Sequence, residues 1–205
     1  MTQRPGRPRG VEDSRVLQQA MLLFWEKGYN AVSVRDLELA TGLKTSSLYH
    51  RFQSKDGLFT AALLHYCERV IQGRIEHYLQ PGLGLAGIRE FLQSVYHQTG
   101  PYHACLLANS WVEVGDQIAS AHAVMRGGIR QVRKALLQQL RYCRRQGELP
   151  AAAKPRLLAD YVLMSLQGIL LTARFETNKN KLDRMVACVM MSLPLIHHQR
   201  EFQHP

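Results

Sequence analysis

The sequence predicts an all-α protein of about nine helices, and three observations lead there. Apolar residues recur three and four positions apart through most of the chain, which puts them on one side of a 3.6-residue helix. No segment alternates apolar and polar residues in twos with the Val, Ile and Thr enrichment of a strand. Glycine, proline and asparagine punctuate the periodic runs at Gly28, Gly42, Gly100-Pro101, Gly147 to Pro150 and Asn178 to Asn180.

Residues 1–10, MTQRPGRPRG, carry no aliphatic side chain beyond Met1 and are interrupted by Pro5 and Pro8, so a flexible basic arm is expected. Asp13 is a candidate N-cap. Val16, Leu17, Ala20, Leu23 and Phe24 then repeat at helical spacing up to Gly28, a residue suited to ending a helix. Ser33 opens a second, short helix, and Asp36 three residues on makes a variant of the capping box. Val34, Leu37 and Ala40 form its inner face, and Gly42 permits a tight turn. A third short helix is expected from about Thr45 to Phe52. Ser54 caps a fourth and much longer one, with Asp56 in its first turn and Leu58, Ala62, Leu63 and Tyr66 as its apolar stripe. Two short helices joined by a glycine-containing turn make a helix-turn-helix, whose second helix enters a DNA major groove while the first braces it.

Further along, Pro81 to Gly87 is expected as a loop, followed by a helix over roughly Ile88 to Thr99. A short helix is expected over about Cys105 to Glu113 and a longer one over Gln117 to Arg145. The last two cover about Lys154 to Phe175 and Lys181 to Ile196.

The bulk properties exclude several classes. At 205 residues, 46% hydrophobic and 20% charged, the chain can bury a real core. No apolar stretch approaches the roughly 18–20 residues of a membrane span. No apolar segment follows the N-terminal arginines, so a cytoplasmic protein without a signal peptide is expected. The four cysteines, Cys67, Cys105, Cys143 and Cys188, show no CxxC pair and are expected to be reduced and partly buried. A net charge of +10 favours an anionic partner, nucleic acid first. Residues 1–60 hold only +3 of it, so charge alone does not locate the site. No nucleophile–base pattern, phosphate loop or metal motif is present, which argues against an enzyme or a cofactor.

Within residues 13–58, Ala20, Phe24, Gly28-Tyr29, Ser33-Val34, Leu37, Ala40-Thr41-Gly42-Leu43, Ser47-Leu48-Tyr49, Phe52 and Ser54-Lys55 resemble the DNA-binding domain of the TetR family of repressors. LYHRFQSKDGLF is the most telling stretch. The family often has glycine where Ser46 stands, which bears on sequence preference rather than fold. Gly147-Glu148-Leu149, Leu158-Ala159 and Gly168 resemble the C-terminal half more loosely. The resemblance implies a dimeric regulator, most simply a repressor, released from a palindromic double-stranded operator by a small-molecule inducer. It implies an arm at 1–10, a DNA-binding domain at 11–56 and a ligand-binding and dimerisation domain at 57–205, with the long fourth helix transmitting the change.

Thr45, Ser46 and Ser47 open the recognition helix, where small polar side chains reach base edges or phosphates, and Lys44 just precedes them. By resemblance, Tyr49 and His50 contact the sugar-phosphate backbone, Lys55 lies beside a phosphate, and Ser33 and Arg35 are further phosphate contacts. A core-edge position competes for Tyr49, and capping competes for Ser33. The arm's Arg4, Arg7 and Arg9 suit a minor-groove hook, with a merely solubilising tail as the alternative. Phe24, Leu37, Leu48 and Phe52 are expected in the core.

Candidates for the inducer pocket are Tyr66, Phe91, Tyr96, Cys105, Trp111 and Tyr161, since flat groups with polar tips suit small-molecule sites. Cys105 opens ACLLANSWVE, which resembles a subset of the family in which a cysteine at a helix start senses oxidants or electrophiles; nearby His103 could assist. A regulator without any effector is the further alternative. Arg126, Arg130, Arg133, Lys134, Arg141, Arg144 and Arg145 form a run with no acid, either a solvated face or a site for an acidic ligand or partner. His97, His103, Cys105 and the pair His197-His198 lack metal-ligand spacing, so no metal is expected. The last two helices are apolar over a wide face. Leu158, Tyr161, Val162, Ser165, Gly168 and Ile169, with Val186, Val189, Met190 and Leu193, are the expected dimerisation residues.

Overall fold

A computed structural model describes residues 9–97 and 105–193. The elements are α1 (Arg9–Lys27), α2 (Val34–Thr41), α3 (Thr45–Phe52), α4 (Lys55–Tyr66), a π-helical segment (Cys67–Ile71), α5 (Gln72–Tyr78), α6 (Gly84–Ser94), α7 (Leu106–Val114), α8 (Ala119–Arg145), α9 (Pro155–Thr172) and α10 (Lys179–Ser192). The backbone is helical without a break from residue 55 to 78, which is the long fourth helix of the sequence reading. Counted that way, there are nine helices and no strand among the described residues. No described helix is long and apolar enough to cross a membrane.

The chain forms two compact units. Among the described residues, one takes in α1 to α4, α7 and the first turns of α8; the other takes in α5, α6, the rest of α8, α9 and α10. In the first unit α1 packs on α2 and α4, and α3 packs on α4. Val16, Ala20, Phe24, Val32, Leu37, Leu48, Leu58, Phe59, Ala62, Leu63 and Tyr66 are buried there. Phe24 meets Phe59 edge-on at 5.0 Å, and Trp25 meets Tyr66 at 4.9 Å, both geometries that aromatic rings favour. In the second unit α6 packs on α5 and α10, and α9 on α10.

Local signals in the sequence set several boundaries. Ser33 caps α2 with a complete capping box, and Gly42 closes it in the left-handed conformation (φ 74°). Ser54 caps α4 by accepting from the Gly57 amide at 3.1 Å. Asn178 caps α10, accepting from the Lys181 amide.

Other boundaries differ from expectation. Helix α1 begins at Arg9, so Arg9 belongs to the helix and not to the arm. Asp13 is no cap; its carboxylate takes Arg51 at 2.7 Å. Helix α6 runs over Gly84–Ser94 rather than residues 88–99, and the stretch read as loop supplies its first turn. The Glu148 carboxylate caps it from elsewhere in the chain, accepting the Leu85 amide at 2.7 Å, while Gln139 donates to the Gly84 carbonyl at 3.0 Å. A Cβ at Gly87 would stand 2.3 Å from the Tyr78 carbonyl oxygen, so that glycine serves close approach of α5 and α6 instead of a turn. Helix α9 ends at Thr172, three residues short of Phe175. Arg4, Arg7, Gly100-Pro101, His103 and His197-His198 lie outside the described residues.

Candidate nucleic-acid interface

The site is built on α3. Its only fully buried side chain is Leu48, and this inward anchor leaves Ser46, Ser47 and His50 exposed on the opposite side. Those three and Arg51 line an open concavity of about 380 Å³. Lys44, the N-cap residue, makes no side-chain cap and is exposed. Tyr49 is half-buried, between the two alternatives left by the sequence.

Three contacts fix the pose of α3. The backbone amide and the hydroxyl of Thr45 both donate to Glu38 Oε1 at 2.6 Å, so one carboxylate on α2 ties the two short helices together. Those hydrogen bonds hold the Glu38 carboxyl below its ordinary range. At the far end, Gln53 takes a positive φ of 70° as its amide returns to the Tyr49 carbonyl at 2.8 Å. The chain then turns so sharply that a Cβ at Gly57 would lie 1.9 Å from the Phe52 carbonyl oxygen. No other residue fits there without moving α3 against α4.

The flanks carry charge. In the capping box, Asp36 accepts from the Ser33 amide at 2.9 Å and the Ser33 hydroxyl at 2.5 Å, with Lys27 at 3.2 Å. The Ser33 hydroxyl bond comes first among the causes that pull the Asp36 pKa down to about 2. Ser33 is thus committed to capping, while Arg35 is exposed. The Lys55 ammonium sits 4.3 Å above the Tyr29 ring centroid, a cation–π contact. Tyr29 donates its hydroxyl to Asp56; burial first, then that bond, push its pKa to about 12. Partial burial lowers the pKa of Lys55, opposed by the charges of Asp56 and Glu113. Glu113, on α7, accepts the amides of Tyr29 and Asn30. An exposed row of hydroxyls and an imidazole flanked by Arg35, Lys44 and Lys55 offers hydrogen bonds to base edges and charge to phosphates.

Glu38, Gly57 and Glu113 were not among the candidates. Glu38 and Glu113 carry no local signal, since their partners are set by the fold. Gly57 stood in the SKDG stretch, but its role depends on the turn before it.

The six inducer candidates are described unit by unit. Tyr66 is wholly buried against Trp25, and Trp111 is 42% exposed with its ring 4.6 Å from His122; both belong to the first unit. Phe91 is core in the second unit. There the Tyr96 hydroxyl donates to Asp183 at 2.7 Å, and Tyr161 is half-buried. Cys105 is buried just before the first residue of α7. No disulfide joins the four cysteines; Cys67 and Cys143 are also buried, and Cys188 is exposed.

In the basic run, Arg133 pairs with Asp160 at 2.5 Å, whereas Arg141 and Arg144 line a cavity of about 430 Å³ with Lys154, Pro155, Arg156 and Leu157. Among the described residues no three His, Cys, Asp or Glu side chains cluster as metal ligands.

The dimerisation candidates divide. Leu158, Val162, Ile169, Val186, Val189, Met190 and Leu193 are buried within the chain itself and unavailable to a partner without unpacking. Tyr161 and Ser165 are half-buried and Gly168 is exposed. The exposed apolar side of α9 is made instead by Leu157, Met164 and Leu171, continued by Phe175 just past its end, and α10 adds Met191.

Comparison with known proteins gives two family matches: bacterial regulatory proteins of the tetR family over residues 16–62, and the tetracyclin repressor-like C-terminal domain over residues 84–189. Among curated relatives, the transcriptional repressor ComR of Escherichia coli K12 is 26% identical, with 92% of each chain covered. The transcriptional regulator AcuR of Cereibacter sphaeroides is also 26% identical, over 87% of this chain and 86% of its own. Among solved structures, a cysteine mutant of the regulator CifR bound to 26-base-pair operator DNA superposes with a TM-score of 0.80 at 24% identity. That match covers 92% of this chain and all of the other. The reduced form of Escherichia coli NemR gives 0.76 at 24%, over 87% of this chain and 95% of its own.

Proposed function

The chain belongs to the TetR family of bacterial transcription regulators, and from that premise we propose that it is a dimeric repressor that binds a palindromic operator through α3. It is a regulator and not an enzyme. The observation that carries the reading is the exposed face of Ser46, Ser47 and His50, held rigidly by Thr45–Glu38 on one side and the Gly57 turn on the other. A recognition helix must be presented in a fixed pose for its side chains to register on base edges. The repressor and operator roles follow the relatives, among which ComR is a repressor and CifR binds operator DNA.

The exposed apolar side of α9, with exposed Met191 on α10, supports a twofold contact between two copies, since exposed apolar surface favours burial. Such a dimer presents two α3 helices to two half-sites. An inducer that prefers a state with the wrong separation releases the DNA by its differential affinity alone. The site of action is the cytoplasm, where the operator is. Footprinting of the purified protein on DNA from its own upstream region tests this. Protection of a palindrome that survives competitor DNA is expected; uniform protection lost at modest salt refutes sequence-specific binding.

A further inference from the structure

We propose that Glu113 is a positioning residue for DNA binding, clamping the turn between α1 and α2 from α7 and thereby setting Lys55 for a backbone phosphate. The inference rests on the reading of α3 and Lys55 as a DNA-binding surface.

The clamp starts at the end of α1. Gly28 leaves the helix with φ 82°, its amide still bonded to the Phe24 carbonyl at 2.9 Å. The next two amides cannot return to α1 and need an acceptor. Both find it in one carboxylate 84 and 83 residues away: Tyr29 donates to Glu113 Oε2 at 2.9 Å and Asn30 to Oε1 at 2.7 Å. Two successive backbone donors against a two-oxygen anion make a short, charge-assisted pair with a defined direction. The fit is tight, because a Cβ at Gly28 would stand 2.7 Å from Oε2 and 2.9 Å from Oε1. Gly28 therefore serves two ends, a left-handed helix stop and room for the carboxylate.

The residue held in this way is the one that carries Lys55. The Tyr29 ring packs on Phe59 at 4.8 Å and bears the ammonium at 4.3 Å, while its hydroxyl bonds Asp56 in the first turn of α4. Glu113 also acts on Lys55 through its charge. A second tie, Thr60 to Ser120 at 2.9 Å, joins α4 to the start of α8 beside it. Withdrawal of α7 by about 1 Å stretches both Glu113 bonds past hydrogen-bond range and frees the Tyr29 turn. Helix α7 thus acts on the DNA-binding residues directly, in addition to any route along α4.

The test compares the full-length wild type with Glu113→Gln, Lys55→Gln and the double variant on the operator, far below the unfolding midpoint. Glutamine keeps one acceptor but sets an NH2 against the second amide. Glu113→Gln is expected to weaken operator binding about tenfold, and Lys55→Gln to lower the salt slope by about one. The double variant should bind no worse than the weaker single one, because both act through the same ammonium. Unchanged affinity in Glu113→Gln with only a lowered melting point, or fully additive losses, overturns the proposal. Hydrogen exchange on the wild type gives a check independent of the variants' folding. Slow exchange at Tyr29 and Asn30 supports the clamp, and exchange at the rate of open turns refutes it. If Ser47→Ala/His50→Ala also leaves wild-type-like affinity, the DNA-binding reading itself has failed, a result distinct from failure of Glu113 alone.

Discussion

Single atoms decide much at the residue scale. Gly57 is tolerated where a Cβ would overlap the Phe52 carbonyl oxygen at 1.9 Å. Gly57→Ala is therefore expected to destabilise the chain by about 1–3 kcal/mol, the usual range for overpacking, read as a fall in the urea midpoint. Unchanged stability would mean the turn relaxes freely. His65 on α4 is buried beside Gln18 at 3.1 Å; burial first, then the charge of Arg69, lowers its pKa, and Glu68 opposes them. A folded-state pKa depressed below the ordinary imidazole value, about 6.5, favours the neutral ring in the folded state. That stability is fully present above the unfolded pKa and is lost as pH falls through the folded one. His65→Gln should flatten the decline in unfolding free energy below about pH 6.5; an identical decline in both proteins would contradict this assignment. Local chemistry of this kind was partly legible. The capping box of Ser33 and Asp36 and the Ser54 cap needed only neighbours in sequence. Glu38, Glu113 and Glu148 were not legible, because a carboxylate reveals its amide partner only once distant segments meet.

The elements show the same division. Helices α2 and α3 were readable: Ser33 and Gly42 bound the first, while the turn at Gly42 before it and the Ser54 cap of α4 after it bracket the second. Helix α6 was misread because Gly84 and Gly87 look like loop residues, yet Glu148 takes the Leu85 amide just after the one and the end of α5 crowds the other. Helices α9 and α10 were found, but their apolar faces were assigned to a partner too broadly. A helix apolar on more than one side gives no sign of which side faces its own core. The structure assigns Leu158, Val162 and Ile169 to that core and leaves Leu157, Met164 and Leu171 outside. Met164, 65% exposed, is therefore the position for a test. Met164→Glu should leave the fold intact, as a surface change does, while shifting sedimentation from dimer to monomer. A dimer that persists unchanged would place the twofold contact elsewhere.

For the molecule as a whole, DNA recognition is a matter of pose. Exposed hydroxyls and cations are common on protein surfaces; here they are braced by Glu38 and by the turn at Gly57, with Glu113 proposed as a third brace. Fold class and the helix-turn-helix were legible because they depend on periodicity and local caps. The inducer candidates carry no such local signal, because an aromatic side chain or a cysteine looks the same in sequence whether it lines a pocket or fills the core. The most direct measurement is fluorescence anisotropy of the full-length protein on its upstream palindrome and on a scrambled duplex, at about 0.15 M salt, a Debye length of about 8 Å. Wild type and Ser47→Ala/His50→Ala are compared. Wild type is expected to prefer the palindrome by at least about a thousandfold. The variant is expected to lose most of that preference while keeping its weaker, salt-dependent binding to the scrambled duplex. Equal affinity of wild type for both duplexes, or a variant with the preference intact, would contradict recognition through α3.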